Sequence, residues 1–228
     1  MTTPTLDRNQ TIAHVVLEHS ECAQVFQRHR IDFCCRGHLS LEAAAQDRNV
    51  DLDALIAELD QTIAGRLTPA DADPRLLGTP ALVAHIVSTH HEYLRKALPF
   101  VQTLAAKVSR VHGDHNPKLR DLDVGVTDLA ASLMPHLDDE EQALFPALTA
   151  TVPDLAVASE HFTTMLAEHL EVANVLEQIR AATDDFALPE WACNSYRTLF
   201  KELEQLEGDV FRHVHLENHV LRPRFAAV

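Results

Sequence analysis

Two stretches decide the fold, HLDDEEQALFP at 136–146 and HVHLENHVLRP at 213–223. Both read H-x3-E-x3-L-x-P, and His136 and His213, Glu140 and Glu217, and Pro146 and Pro223 each lie 77 residues apart. In both, histidine and glutamate are four residues apart, which places imidazole and carboxylate about one turn apart on one helix face. The companions of each histidine at offsets of three, four and seven tell which way it looks. His136 lies with Leu129, Leu133, Ala143 and Leu144, and His213 with Leu206, Val210, Val220 and Leu221. Both face a core.

Two single histidines keep nearly the same interval. His169 sits in an apolar stripe with Phe162, Met165, Val172 and Leu176, and His91 precedes it by 78 residues. Periodicity leaves the earlier position open. His91 shares a stripe with Ala84, Val87, Leu94 and Leu98, and His90 shares one with Val83, Ile86 and Ala97. His85, His215 and His219 keep polar company and are expected on the solvent face. The register is that of an internal duplication, two helix hairpins that each supply one histidine and one His-x3-Glu pair. A bundle can bury one such pair as a hydrogen-bonded contact. Four imidazoles and two carboxylates at one level, without a cation, would be expensive.

Around these segments four long helices are predicted, over about 79–112, 117–145, 155–182 and 189–221, with Pro99 and Pro135 as kink positions. Upstream, helices over 11–18, 20–30, after Ser40 and over 51–65 make a smaller unit, and RLTPADADPRLLGT at 66–79 loses periodicity as a linker does. The expected organisation is a small helical domain over 1–65, a linker over 66–78 and a four-helix bundle over 79–228. The composition agrees with an all-α chain. Of 228 residues only 6 are glycine and 5% aromatic, which starves strands and hairpin turns.

The net charge of −15 repels phosphate backbones and anionic lipid surfaces, so neither nucleic acid nor membrane is an expected partner. No apolar run reaches the roughly 18 residues of a membrane span. MTTPTLDRNQ at 1–10 lacks the basic and apolar regions of a leader, and the expected location is the cytoplasm. Four cysteines in such a chain are expected as thiols. Cys34 and Cys35, in DFCCRG at 32–37, are candidate thiols for metal transfer or redox chemistry, with Arg36 and the nearby helix start as means of lowering a thiol pKa. Cys22 and Cys193 are assigned to packing.

Two imidazoles per ion with bridging glutamates can hold two divalent metals, and mixed nitrogen and oxygen ligation at high coordination favours iron or manganese over tetrahedral zinc. Beyond this reading, the chain resembles the RIC (repair of iron centres) di-iron family of the YtfE/ScdA type. The carriers are DFCCRG, HIVSTHHEYLRKALP at 85–99, KVSRVHGD at 107–114, AEHLEVANVLEQI at 167–179 and the two repeated segments. The resemblance implies a small N-terminal domain ahead of a hemerythrin-like four-helix bundle. It implies two non-haem iron ions, oxo- or hydroxo-bridged, held by His91, His136, His169 and His213 with Glu140 and Glu217 bridging, and so selects His91 over His90. The implied function is repair of iron–sulfur clusters damaged by nitrosative or oxidative stress, with nitric oxide or O2 as small ligand and damaged iron–sulfur proteins as clients. Nitric oxide reduction at the two irons, and a non-catalytic nitric oxide or O2 sink or sensor, are the alternatives; a homodimer stays open. Arg222, where the family shows an aromatic residue, Arg36 and Pro135 depart from the family pattern.

Overall fold

The computed structural model describes residues 6–65 and 73–225. Residues 1–5 of the N-terminal stretch and 66–72 of the expected linker lie outside the described residues. The fold is all-α, and among the described residues the sole β contact is the isolated Thr11–Ser40 bridge. Two compact units divide the chain, one comprising Met1–Gly78 with Phe211–Val228 and the other Thr79–Val210.

In the first unit three of the four helix starts that the sequence marks are working caps, and the fourth, at Ser20, has no side-chain cap. Thr11 accepts from the His14 amide to open α1 (Ile12–Glu18), Ser40 from Ala43 to open α3 (Leu41–Asp47), and Asp51 from Ala54 to open α4 (Leu52–Ala64). A 3₁₀ turn at Ser20–Cys22 leads into α2 (Ala23–Arg28). Ile12, Val15, Phe26, Phe33, Leu41, Leu55 and Leu59 are buried here. The described part of the linker holds a 3₁₀ turn at Pro74–Leu76, which Arg224 reaches through the Pro74 carbonyl.

The second unit is built on α5 (Thr79–Ile86), α6 (Glu92–His112), α7 (Lys118–Asp139), α8 (Phe145–Thr149) and α9 (Leu155–Ala182), with the first part of α10 (Asn194–Leu216). Helix α7 packs on both α6 and α9. Leu94, Leu98 and Val101 of α6 are buried with Leu122, Leu129 and Leu133 of α7 and Val172 and Leu176 of α9. Arg180 of α9 and Glu207 of α10 meet in a buried two-pronged ion pair at 2.6 Å.

Helix α10 starts at Asn194, not near Pro189 as expected. Asp184, Asp185 and Phe186 in succession take left-handed backbone angles, which end α9 beyond Thr183, and Pro189 disfavours helical angles at Leu188. No helix of the described residues is long and apolar enough to cross a membrane.

Candidate metal centre

The long helices are not α-helical throughout. Wider π turns occupy Val87–His91, Glu140–Leu144 and Glu217–Leu221, closed by the Glu92 amide on the Val87 carbonyl, Phe145 on Glu140, and Arg222 on Glu217. Each π turn begins or ends on a residue singled out as a ligand, and such insertions gather at functional sites. The repeated proline has its reason here. Six residues after the glutamate, a proline ring in a continuous α-helix would clash with the carbonyl four residues back; the wider turn relieves that clash, and the missing amide costs nothing there. The first π turn also accounts for the ambiguity at 90 and 91. One extra residue in the turn carries both imidazoles inward, so both are buried.

Within the unit of residues 79–210, four of the six residues converge. Glu140 lies between two histidines, with Oε2 3.4 Å from His91 Nε2 and Oε1 3.5 Å from His136 Nε2. His169 Nε2 stands 3.3 Å from His136 Nε2. Ligand atoms of His136, Glu140 and His169 lie within 4.8 Å of one another. In the other unit His213 Nε2 is 2.7 Å from Glu217 Oε1, and both side chains are fully buried.

The tautomers are set from behind. His91 Nδ1 donates to Glu141 at 2.9 Å and His136 Nδ1 to Glu168 at 2.7 Å. A carboxylate only accepts, so the proton sits on Nδ1 and the Nε2 lone pair is turned toward Glu140. This is the carboxylate–histidine arrangement that orients an imidazole toward a metal. Glu141 is in turn held by Arg95 at 3.0 Å, and Arg95 also pairs with Asp138 at 2.7 Å. Burial pushes the Glu141 pKa up, but the hydrogen bonds from His91 and Arg95 outweigh it and hold the group below the usual carboxylate range. Nε2 lone pairs and carboxylate oxygens facing one another across 3.3 to 3.5 Å repel unless a cation or proton sits among them. The donor set therefore fits a hard to borderline divalent ion. Phe145 covers the His91 ring, stacked at 5.6 Å.

Periodicity did not find Glu141 and Glu168. The available signal was an acidic residue directly after the first ligand glutamate and directly before His169. His90, the alternative to His91, instead bonds Asp209 at 3.0 Å.

Cys34 and Cys35 lie in a turn organised by Asp32, whose Oδ1 accepts from the Cys34 amide at 3.1 Å and the Cys35 amide at 2.8 Å. Three expectations are corrected here. Arg36 does not activate Cys34; it pairs with Asp47 at 2.7 and 3.1 Å, and burial, reinforced by Cys35 and Asp32, pushes the Cys34 thiol well above its ordinary pKa. His215 is not on the solvent face, and His219 is only partly exposed. They donate to the Phe33 and Cys34 carbonyls at 3.4 and 2.8 Å, joined on Cys34 by Asn218 at 3.0 Å, because the cysteine turn covers a side of the helix that its own periodicity marks as polar. Cys193 is not packed either. It is exposed in the turn before α10, 3.3 Å from His112 Nε2, whereas Cys22 is buried as expected.

Comparison with known proteins agrees with this geometry. Residues 82–225 match the family described as the hemerythrin HHE cation binding domain, and residues 8–62 match ScdA_N, a domain of unknown function (DUF542). The chain is 33% identical over 217 residues to an iron–sulfur cluster repair protein YtfE from Yersinia pseudotuberculosis serotype IB (strain PB1/+), covering 95% of this chain and 96% of the relative. It is 33% identical over 220 residues to the protein of the same name from Enterobacter sp. (strain 638), covering 96% and 98%. A Yersinia pestis (strain Pestoides F) relative of that name is likewise 33% identical over 217 residues.

Proposed function

The chain belongs to the RIC family of YtfE-type iron–sulfur cluster repair proteins, and from that membership we propose that it serves iron–sulfur proteins damaged by nitrosative or oxidative stress through a di-iron centre. The observation that carries the metal reading is Glu140, whose two oxygens each face a different histidine as a bridging carboxylate must. Two imidazoles per ion, His91, His136, His169 and His213, with Glu140 and Glu217 bridging, form the proposed ligand set. The 77-residue register supports giving His213 and Glu217 the roles of His136 and Glu140. A pair of iron ions held this way would supply a store of iron and coordination positions for nitric oxide or O2.

The chain's own residues do the remainder. Glu141 and Glu168 hold the protons of His91 and His136 at Nδ1, and Phe145, stacked on His91, shields that ring from water. Cys34 and Cys35 are proposed as the thiols through which iron leaves. The organisation we propose for these tasks is the small domain over 1–65, the linker over 66–78 and the bundle over 79–228, which the two family matches support.

Purified chain should carry about two metals, and His136→Ala with Glu217→Ala should strip both and abolish reactivation of a nitric oxide-damaged iron–sulfur enzyme. Metal content unchanged in that double variant would overturn the ligand set. Full metal loading with no reactivation would overturn the repair role alone.

A further inference from the structure

The second cluster of metal-ligating side chains lies outside the histidine set. We propose that Asp32, Cys34 and Cys35 form a separate metal site, a three-ligand tetrahedral position for a thiophilic divalent cation such as Fe2+ or Zn2+, with its fourth position open. It deepens the transfer role proposed for the two thiols and rests on that reading for its purpose, though not for its geometry.

The two sulfur atoms are 3.7 Å apart. A disulfide would need them at about 2.05 Å, whereas two thiolates bound at about 2.3 Å to one tetrahedral ion stand about 3.75 Å apart. The thiols are thus spaced for a shared cation without further movement. Ligand atoms of all three residues lie within 4.8 Å of one another. Asp32 Oδ1 accepts a hydrogen bond from the Cys34 thiol at 3.1 Å, whose proton an incoming ion would displace.

The turn is fixed from two sides. Asp32 accepts both cysteine amides, and Asn218 and His219 donate to the Cys34 carbonyl. Gly37 permits this close approach, since a Cβ there would meet the Phe33 carbonyl oxygen and His219 Nε2 at 2.5 Å. Cys34 is buried while Cys35 and Asp32 are half-buried, so the cluster opens on one side only. Two thiolates and a carboxylate are softer than the imidazole and carboxylate set, which separates the preferences of the two sites. Binding moves no electrons. Each thiol gives one proton to water and each sulfur forms one bond to the ion.

The test is a titration of the full chain, as isolated with its resident metal, with Co2+, read as a difference spectrum. A thiolate-to-cobalt charge-transfer band in the near ultraviolet can arise only at cysteine, so cobalt entering the histidine set adds nothing to it. The expected result is a band saturating near one Co2+ per chain. It should be lost in Cys35→Ser, unchanged in Cys193→Ser, and shifted to on the order of tenfold higher Co2+ in Asp32→Asn, whose amide keeps the turn. No thiolate band at any Co2+ concentration, a band surviving Cys35→Ser, or one lost in Cys193→Ser would overturn the site. Cluster reactivation by Cys35→Ser is scored separately. Normal reactivation by a variant that has lost the band removes the transfer role and leaves the metal site standing.

Discussion

Glu168 and Glu141 show what a single side chain behind a ligand contributes. Both accept from the Nδ1 of a histidine whose Nε2 faces Glu140, but Glu141 is braced by Arg95, whereas Glu168 is more than one-third exposed. Partners of this kind are worth about 10- to 100-fold in metal affinity. Glu168→Ala should therefore lower affinity by about that factor in a chelator competition, and Glu168→Gln, which keeps an acceptor for Nδ1, should recover most of it. Equal losses in the two variants would mean that the charge, not the orientation of His136, is what matters. Neither glutamate was legible in the sequence. Hydrophobic periodicity finds side chains that face the core, and these two sit at its edge.

At the scale of the element, the π turns convert sequence register into ligand placement. An extra residue in a turn re-phases everything beyond it by about 100°, so a helix can present ligands that a uniform α-helix would scatter. Pro146 and Pro223 hold the second and third turns open by denying the ordinary bond. Pro146→Ala restores an amide and lets the turn from Glu140 to Leu144 close toward α geometry. Helicity by circular dichroism should stay constant while metal retained after dialysis against a chelator falls several-fold. Unchanged retention would show that packing, with Phe145 on His91, sets the turn instead. The sequence carried half of this. It displayed the prolines in register and the glutamates before them, but a π turn leaves no signal in periodicity, and both His90 and His91 looked plausible for that reason.

For the molecule as a whole, burial of neutral imidazoles ties stability to pH. Burial, with some help from His219, pushes His215 from its ordinary 6.5 down to about 3, and burial lowers His219 as well. Between these two values the unfolded chain binds a proton that the folded one refuses. The contribution of His215 is thus complete above 6.5 and is lost as pH falls toward about 3. For the metal-free chain, the unfolding free energy from urea titrations should drop by about 2 kcal/mol from this group alone between about pH 7.5 and about pH 5. His215→Asn, which keeps a donor for the Phe33 carbonyl, should flatten that dependence, and an unaltered slope would count against it.

The sequence by itself determined the all-α class, the helix caps at Thr11, Ser40 and Asp51, and the register of five of the six residues proposed for the metals, the choice of His91 over His90 resting on the family resemblance. Caps and inward faces are local properties, fixed by a few neighbours along the chain, and the duplication repeats them in register. Tertiary structure alone decided that His215 and His219 hold the cysteine turn, that Arg36 serves Asp47 instead of a thiol, and that Glu141 and Glu168 stand behind the imidazoles. Each of those contacts joins different helices or turns, from 11 to 185 residues apart in the chain. No periodicity within one segment reports what another segment will lay against it.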